Sequence, residues 1–432
     1  MKVEIAMLFG TNLIVRNSLF NFIGQLVPIV AGLVCIPVIL RLLGTERFGI
    51  LALAWMVLNY FTLFDFGLGR ATTKFIADFI ERHDRSEISS IIWTSLGGQI
   101  LLGLIAAFLL VAVSPLLVER VFIIPSGLRL EARQTFQVLA CMLPVTLAGN
   151  GLRSALGGGQ RFDLINAVNM PLSTLNFIIP LVVLGAGVSL PGVVSVMGTA
   201  WAAAGLTYFI ICLKVFPEAR RLSINRQALK LLFAFGGWIT VSNLIGPVLV
   251  YLDRFLIATF LSVAAVAYYT APYEAVIKLW IFPTSLVASL FPAFSALNAG
   301  SPHGSMNNIY NRSMKSLLFF MGPLVFVAVF FGSDILLLWL GADFAAKSIR
   351  VFQILAVGVL INSLAQVPFT LIQGSGRPDV TAKFHLIELP LYFWILWFLL
   401  EYAGIEGAAM AWSLRVALDA TFLLVAARRL FG

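Results

Sequence analysis

Several ionisable side chains interrupt apolar runs that are long enough to cross a bilayer, and these residues have the greatest potential for chemistry. A charge at mid-membrane costs about 2.5–3.5 kcal/mol or more, so such residues normally face a wet cavity or a charged partner. Guanidinium forks bind phosphate oxygens bidentately, whereas embedded carboxylates are suited to carrying a proton or sodium ion. The sequence therefore predicts cavity cations at Arg153, Arg254, Lys278 and Arg415, and ion-coupling acids at Glu274, Glu388 and Asp419.

A purely structural interpretation of the same residues stays open. Glu274 and Lys278 stand one helical turn apart, as do Arg415 and Asp419, so each pair can neutralise itself. The side chain of Arg153 is also long enough to reach the lipid headgroups from within a span, and the same holds for Arg254.

Six asparagines within or near the apolar runs form a second set of candidate ligands. Their amides can hydrogen-bond the hydroxyl groups of a polar ligand, or they can join neighbouring helices to each other. Both interpretations stay open for Asn21, Asn59, Asn150, Asn169, Asn176 and Asn243.

The stretch from Asp65 to Arg70 (DFGLGR) lies at the end of the second apolar run and combines two charges with two glycines. One interpretation is a gate on the cytoplasmic side, in which Asp65 and Arg70 form a latch. The other is a turn that ends a helix, because glycine lets the chain leave helical geometry.

The sequence indicates no enzyme and no metal site. The longest polar segments, 70–90, 214–230 and 298–315, are too short to fold as catalytic domains, and none carries a nucleophile, zinc or phosphate-loop signature. We expect no cofactor and three buried, inert thiols at Cys35, Cys141 and Cys212.

Composition places these residues in a membrane. Hydrophobic residues make up 60% of 432 positions and charged residues only 11%, which excludes a water-soluble fold.

A span needs about 20 apolar residues, and it must be helical because backbone in hydrocarbon has to satisfy its own hydrogen bonds. We predict an all-α polytopic membrane protein with about twelve transmembrane helices, at 19–40, 48–69, 91–117, 134–156, 164–185, 190–213, 231–252, 264–297, 316–340, 348–373, 384–400 and 405–427.

The basic residues predict the orientation. With both termini in the cytoplasm, most of the 29 Lys and Arg residues fall on the cytoplasmic side, notably in segments 70–85 and 214–230. Topology therefore accounts for the net charge of +9, and no nucleic-acid partner is expected.

Two related segments lie half a chain length apart: Leu156–Asp163 (LGGGQRFD) and Ile372–Asp379 (IQGSGRPD). We interpret them as an internal repeat, although short turns of this composition also recur by chance. Six spans separate equivalent positions, so the repeat is parallel, an arrangement known in transporters. It predicts an N-terminal six-helix lobe (1–213), a basic cytoplasmic linker (214–230) and a C-terminal six-helix lobe (231–432) around a central cavity.

Three segments resemble the opening of polysaccharide transporter flippases of the O-antigen type: Asn21–Val30 (NFIGQLVPIV), Ile39–Gly49 (ILRLLGTERFG) and Leu63–Ala71 (LFDFGLGRA). That family belongs to the multidrug/oligosaccharidyl-lipid/polysaccharide exporter superfamily, which is built from two parallel six-helix lobes. The resemblance implies an undecaprenyl-pyrophosphate-linked oligosaccharide, moved from the inner to the outer leaflet of a bacterial inner membrane by alternating access.

Other classes of function stay open. The nearest is a multidrug or toxin cation antiporter of the same fold; an enzyme of glycan assembly and a non-transporting scaffold are further ones. For the flippase we expect a monomer in contact with membrane lipids and other glycan-assembly proteins, driven by a proton or sodium gradient.

Overall fold

The computed structural model describes residues 2–63, 65, 67–82, 84–85, 87–298, 303–375 and 377–431, and every regular element in them is a helix. The predicted all-α class is thereby confirmed. The chain forms two compact units, Met1–Leu244 and Ile245–Gly432. The predicted lobes at 1–213 and 231–432, and the count of twelve spans, stay predictions.

The first unit contains six complete helices and the start of a seventh. They are α1 Lys2–Leu63, α2 Leu68–Glu81, α3 Ile88–Leu116, α4 Arg129–Gly158, α5 Phe162–Gly185, α6 Leu190–Val215 and α7 Arg226–Phe260. The second unit begins within α7. It continues with α8 Val263–Ile277, α9 Ile281–Asn298, α10 His303–Phe330, α11 Gly332–Leu340, α12 Ala342–Gly374 and α13 Pro378–Phe431.

The described helices carry the length and surface of a multi-pass membrane protein. Eight of the described segments are long and apolar enough to cross a bilayer. Large apolar side chains such as Phe108, Phe319 and Phe398 are strongly exposed on these helices, which is favourable only where hydrocarbon surrounds them. The segments at Val27–Phe61 and Lys383–Leu430 are far longer than one span requires.

A glycine bends each of the two longest helices. Gly44 in α1 has φ 72° and Gly404 in α13 has φ 57°, a left-handed region that residues with a Cβ rarely adopt. Both glycines lie between two predicted spans. Each of these two elements therefore consists of two helices that meet at a kink, and the two helices correspond to two neighbouring predicted spans.

Several sequence-based expectations were wrong in detail. The segment 70–90, predicted as a polar segment between spans, contains most of α2, because the apolar residues of this helix recur at helical spacing and bury one face with Leu68, Ala71 and Ile76. The predicted spans 264–297 and 316–340 are each interrupted, at Lys278–Trp280 and at Phe331. Cys35 and Cys212 are buried as expected, whereas Cys141 is exposed.

The predicted linker is fixed to the start of α3 along its first part. Trp93 Nε1 donates a hydrogen bond to Ala219 O at 2.9 Å, and Ser89 Oγ donates to Arg221 O. The backbone N–H of Asn225 donates to Thr94 Oγ1 at 3.2 Å. The segment that joins α6 to α7 is therefore part of the packed first unit.

The α3–α4 contact is unusually close at one glycine. A Cβ added to Gly103 would overlap the backbone of Pro144 on α4, and Gly103 is buried. Proline has no N–H and a compact ring, so a glycine opposite it lets the two backbones approach. Gly97, also in α3, has open space where a Cβ would lie.

We expect Gly103→Ala to lower stability by about 1–3 kcal/mol, because the new methyl group forces the backbones apart. Gly97→Ala is the matched control and should be neutral or stabilising by about 0.5–1 kcal/mol, since helix interiors favour alanine. Thermal unfolding of both purified variants in the same detergent measures the difference. Equal melting temperatures would show that the α3–α4 contact relaxes freely.

Candidate functional site

The first unit contains an open pocket with a mixed polar and apolar lining, which we call the Arg153 pocket. Its volume is about 260 Å³. Four helices line it, and each contributes one face: α1 at its second half, then α4, α5 and α6. The lining residues are Leu58, Asn59, Val145, Thr146, Gly149, Asn150, Arg153, Asn169, Leu172, Asn176, Trp201, Ala204, Gly205 and Tyr208.

Helical periodicity places the polar residues of the Arg153 pocket together. On α4, Thr146, Asn150 and Arg153 are separated by four and three residues and so share one face. On α5, Asn169 and Asn176 are two turns apart on one face. Four of the six asparagines predicted from the sequence thus line one cavity, while Asn21 and Asn243 lie where no side chains are described.

Hydrogen bonds inside the Arg153 pocket leave much of its polar capacity uncommitted. Trp201 Nε1 donates to Asn176 Oδ1 at 2.8 Å, which fixes that amide and leaves its NH₂ group for other acceptors. Asn150, Asn169 and Arg153 have no side-chain hydrogen bond or ion pair to any residue that the structure describes. Arg153 is also exposed. An arginine and two amides are therefore available to a ligand.

A second set of charged residues lies in the other unit and forms a continuous chain of contacts, which we call the Arg254 cluster. Tyr269 Oη donates to Asp253 Oδ2 at 2.6 Å, and Asp253 Oδ1 lies 3.6 Å from Arg254 Nη1. Arg254 Nη2 is 3.9 Å from Glu274 Oε1, and Lys278 Nζ is 3.1 Å from Glu274 Oε2. Glu274 therefore contacts two cations, and Asp253 together with Glu274 balances the charges of Arg254 and Lys278.

Arg254 is fully engaged within this cluster. Its side chain is 3% exposed, and Nη1 also donates to the carbonyl of Val250 at 3.1 Å. The guanidinium carbon lies 4.2 Å from the centre of the Tyr273 ring, a cation–π contact. Arg254 is thus buried among partners that the protein supplies, rather than extended towards the lipid headgroups as the structural interpretation expected, and its role as a cavity cation stays a prediction.

Further along the second unit, α13 brings together what we call the Glu388 cluster. Glu388 is 2% exposed; its Oε2 lies 3.1 Å from His385 Nδ1 and 3.9 Å from Arg415 Nη1. One ligand atom each of His385, Glu388 and Asp419 lie within 4.8 Å of one another. Glu388 Oε1 and Arg415 Nε are buried and have no hydrogen-bond partner among the described residues.

The four predicted cations therefore have different surroundings. Arg254 and Lys278 are joined through Glu274, and Arg415 makes its ion pair with Glu388, whereas the sequence had suggested Asp419 one turn away. Arg153 alone of the four lines the described pocket and has no acidic partner in the described residues. Tyr269 and Tyr273 pack around the Arg254 cluster and were not predicted from the sequence, although the two tyrosines are spaced one helical turn apart.

Asp65 begins α2. Its Oδ1 accepts a hydrogen bond from the N–H of Gly67 and its Oδ2 one from that of Gly69, both at 2.9 Å. Burial raises the pKa of the Asp65 carboxyl above its ordinary value, and these two hydrogen bonds act in the opposite direction. Arg70 is exposed on α2. The Asp65 carboxylate thus accepts backbone hydrogen bonds at the N-terminus of α2. The gate formed by Asp65 and Arg70 stays a prediction.

Solved structures with the same architecture define the class of protein. A multidrug resistance MATE family transporter of the MOP superfamily, in its inward-facing conformation, matches with a TM-score of 0.81 at 15% identity over 94% of each chain. The lipid II flippase MurJ in its inward closed conformation matches with a TM-score of 0.71 at 13% identity, over 96% of this chain and 87% of that one. The protein is a multi-pass membrane protein with the fold of MOP-superfamily transporters.

Sequence comparison identifies the family within that class. The chain belongs to the polysaccharide biosynthesis protein family, whose model matches residues 14–298. A protein of Shigella flexneri named "Putative O-antigen transporter" is 30% identical over 423 residues, which cover 95% of this chain and 96% of that protein. The family resemblance carried by Asn21–Val30, Ile39–Gly49 and Leu63–Ala71 is confirmed.

Proposed function

We propose that this protein is a flippase that moves an undecaprenyl-pyrophosphate-linked oligosaccharide, such as an O-antigen unit, from the inner to the outer leaflet of a bacterial inner membrane. Its family and the name of its Shigella flexneri relative support a glycan substrate. Its fold is shared with a lipid flippase and with drug transporters. The proposal includes alternating access and a monomeric state. It also includes a cytoplasmic position for both termini and the absence of enzymatic activity.

The observation that carries the proposal is the Arg153 pocket. A pocket that holds one arginine and four asparagines within a lipid-facing unit is costly unless it serves a polar ligand. Its guanidinium suits a phosphate or another anion, and its amides suit sugar hydroxyls. A lipid-linked glycan offers both groups next to each other.

The position of Arg153 along α4 suits loading from the cytoplasm. Arg153 lies five residues before the end of α4 at Gly158, a distance of about 8 Å along the helix. The predicted orientation places that end at the cytoplasmic surface. The pyrophosphate of a lipid-linked substrate lies at headgroup depth, so an arginine near this surface is placed to meet it.

The same pocket argues against a multidrug cation antiporter. A site for cationic drugs requires an acidic side chain, because a buried cation needs an opposite charge. The residues described as lining the Arg153 pocket include one arginine and no aspartate or glutamate. The pocket favours an anionic ligand.

We further propose that a proton or sodium gradient drives transport and that the Glu388 cluster takes up the coupling ion. Glu388 and Asp419 are the predicted acids that lie together there, and His385 adds a third ligand atom. Glu274, the remaining predicted acid, is less suited, because Arg254 and Lys278 already occupy its carboxylate.

The proposed function is tested by Arg153→Gln in cells that depend on this gene for surface glycan. We expect export to fall roughly tenfold to a hundredfold, since a hydrogen bond to a charged group contributes about 1.5–3 kcal/mol. Arg161→Gln is the matched control: Arg161 lies nearby but pairs with Asp163 at 2.9 Å at an exposed site, where a pair contributes little. Membrane levels of both variants are measured by immunoblot. Normal glycan export by Arg153→Gln at equal protein level would contradict the proposal.

A further inference from the structure

We infer that the Arg153 pocket is a carbohydrate subsite of the first unit, which binds one sugar ring together with one anionic group attached to it. This inference rests on the proposed function and names the part of the substrate that the pocket binds. The anionic group is a phosphate joined to the sugar or the carboxylate of an acidic sugar. The two sources share the chemistry and are separated by the experiment below.

The balance of polar groups points to a sugar. Among its described lining residues the Arg153 pocket has a single cation but four asparagines and a threonine. A bare pyrophosphate carries several negative charges and would require more cations. An asparagine amide both donates and accepts hydrogen bonds, which matches a sugar hydroxyl, itself a donor and an acceptor. The amides of Asn150 and Asn169, on facing helices, have no partner among the described residues.

The order of groups along α4 places the two parts of the ligand. From Thr146 through Asn150 to Arg153 the helix rises about 10 Å, which is enough for a ring and one substituent. Arg153 is the exposed end of this row, and the amides lie deeper. We therefore place the anionic group at Arg153 and the ring between Asn150 and Asn169.

The wall on α6 is fixed before a ligand arrives. Trp201 is 8% exposed and its indole N–H is bound to Asn176 Oδ1. Tyr208 Oη donates to the carbonyl of Ile165 at 3.3 Å. Fixed side chains lose little conformational entropy on binding, so even a small ligand gains affinity from such a wall.

The test is binding of small probes to the purified full-length protein in detergent, followed by thermal unfolding over a concentration series. The probes are glucose 1-phosphate, glucuronate, neutral glucose and inorganic pyrophosphate. We expect saturable stabilisation by glucose 1-phosphate, by glucuronate or by both, and weaker stabilisation by glucose. The more effective acid identifies the source of the anionic group.

Two variants assign the effect to the pocket. Arg153→Met should weaken apparent affinity for the acidic sugars about tenfold or more and leave that for glucose nearly unchanged. Asn169→Leu, of similar volume, should weaken affinity for the acidic and neutral sugars alike. Asn308→Leu, at an exposed position on α10, is the control and should bind all probes like the unaltered protein.

Several results would overturn the carbohydrate subsite. They are equal or stronger stabilisation by pyrophosphate, sugar binding that Asn169→Leu does not alter, and no stabilisation by either acidic sugar. Failure of the inference is distinct from failure of the proposed function. If Arg153→Gln abolishes glycan export while Asn169→Leu changes neither export nor binding, the flippase stands and the sugar subsite falls.

Discussion

Replacing Arg254 with methionine is expected to lower the stability of the folded protein by about 3–5 kcal/mol, the typical loss when one partner of a buried ion pair is removed. Arg254 is 3% exposed and Asp253 is fully buried. Without the guanidinium, the Asp253 carboxylate keeps the hydroxyl of Tyr269 but has no compensating charge. Thermal unfolding and the yield of monodisperse protein in detergent measure the loss.

Lys278→Met provides the matched control for Arg254→Met. Both cations contact Glu274, but the Lys278 side chain is 29% exposed, so solvent and headgroups can replace its contact. A second variant, Asp253→Asn with Arg254→Met, removes both charges and should recover part of the lost stability. If Arg254→Met and Lys278→Met unfold at the same temperature, burial of the Arg254 pair does not decide the stability of this cluster.

The helical membrane class was predictable from the sequence, because its signals are local. A run of about 20 apolar residues can satisfy its backbone in hydrocarbon only as a helix, whatever lies around it. The bends at Gly44 and Gly404 were compatible with the same patterns, since both glycines fall between apolar runs. Helix α2 was missed for the opposite reason: its hydrophobic residues form a stripe rather than a run, and a search for spans does not detect a stripe.

The candidate site was predictable in its residue types but not in its groupings. Arg153, Arg254 and Arg415 are each the single arginine of an apolar stretch, although Arg254 follows Asp253 and Arg415 has Asp419 one turn away. What separates them is whether another helix brings an acid within reach, as α8 does for Arg254 through Glu274. Such contacts join positions 20 or more residues apart, and helical periodicity carries no information about them. The asparagines show the same limit, because only packing of four helices reveals that they line one pocket.

Glu388→Gln is expected to abolish gradient-driven glycan export while leaving most of the protein folded. Glutamine keeps the shape of the side chain but can neither release a proton nor offer a charged oxygen to sodium. Asp419 stays one helical turn from Arg415, so the positive charge of Arg415 keeps one acidic neighbour. The cost of removing Glu388 should therefore fall mainly on ion binding rather than on folding.

The control for this change is Glu406→Gln on the same helix, α13. Glu406 pairs with Arg350 at 3.4 Å, where the arginine side chain is 73% exposed, so its loss should leave export unchanged. Unfolding temperatures measured in sodium chloride against choline chloride, and over a range of pH, separate the two candidate ions. Stabilisation by sodium that disappears in Glu388→Gln indicates a sodium site, and a lost pH dependence without any sodium effect indicates a proton carrier. The Glu388 cluster cannot keep the same affinity for a cation once one of its buried acids is neutralised. If Glu388→Gln responds to sodium and to pH like the unaltered protein and still exports glycan, the coupling ion therefore binds elsewhere.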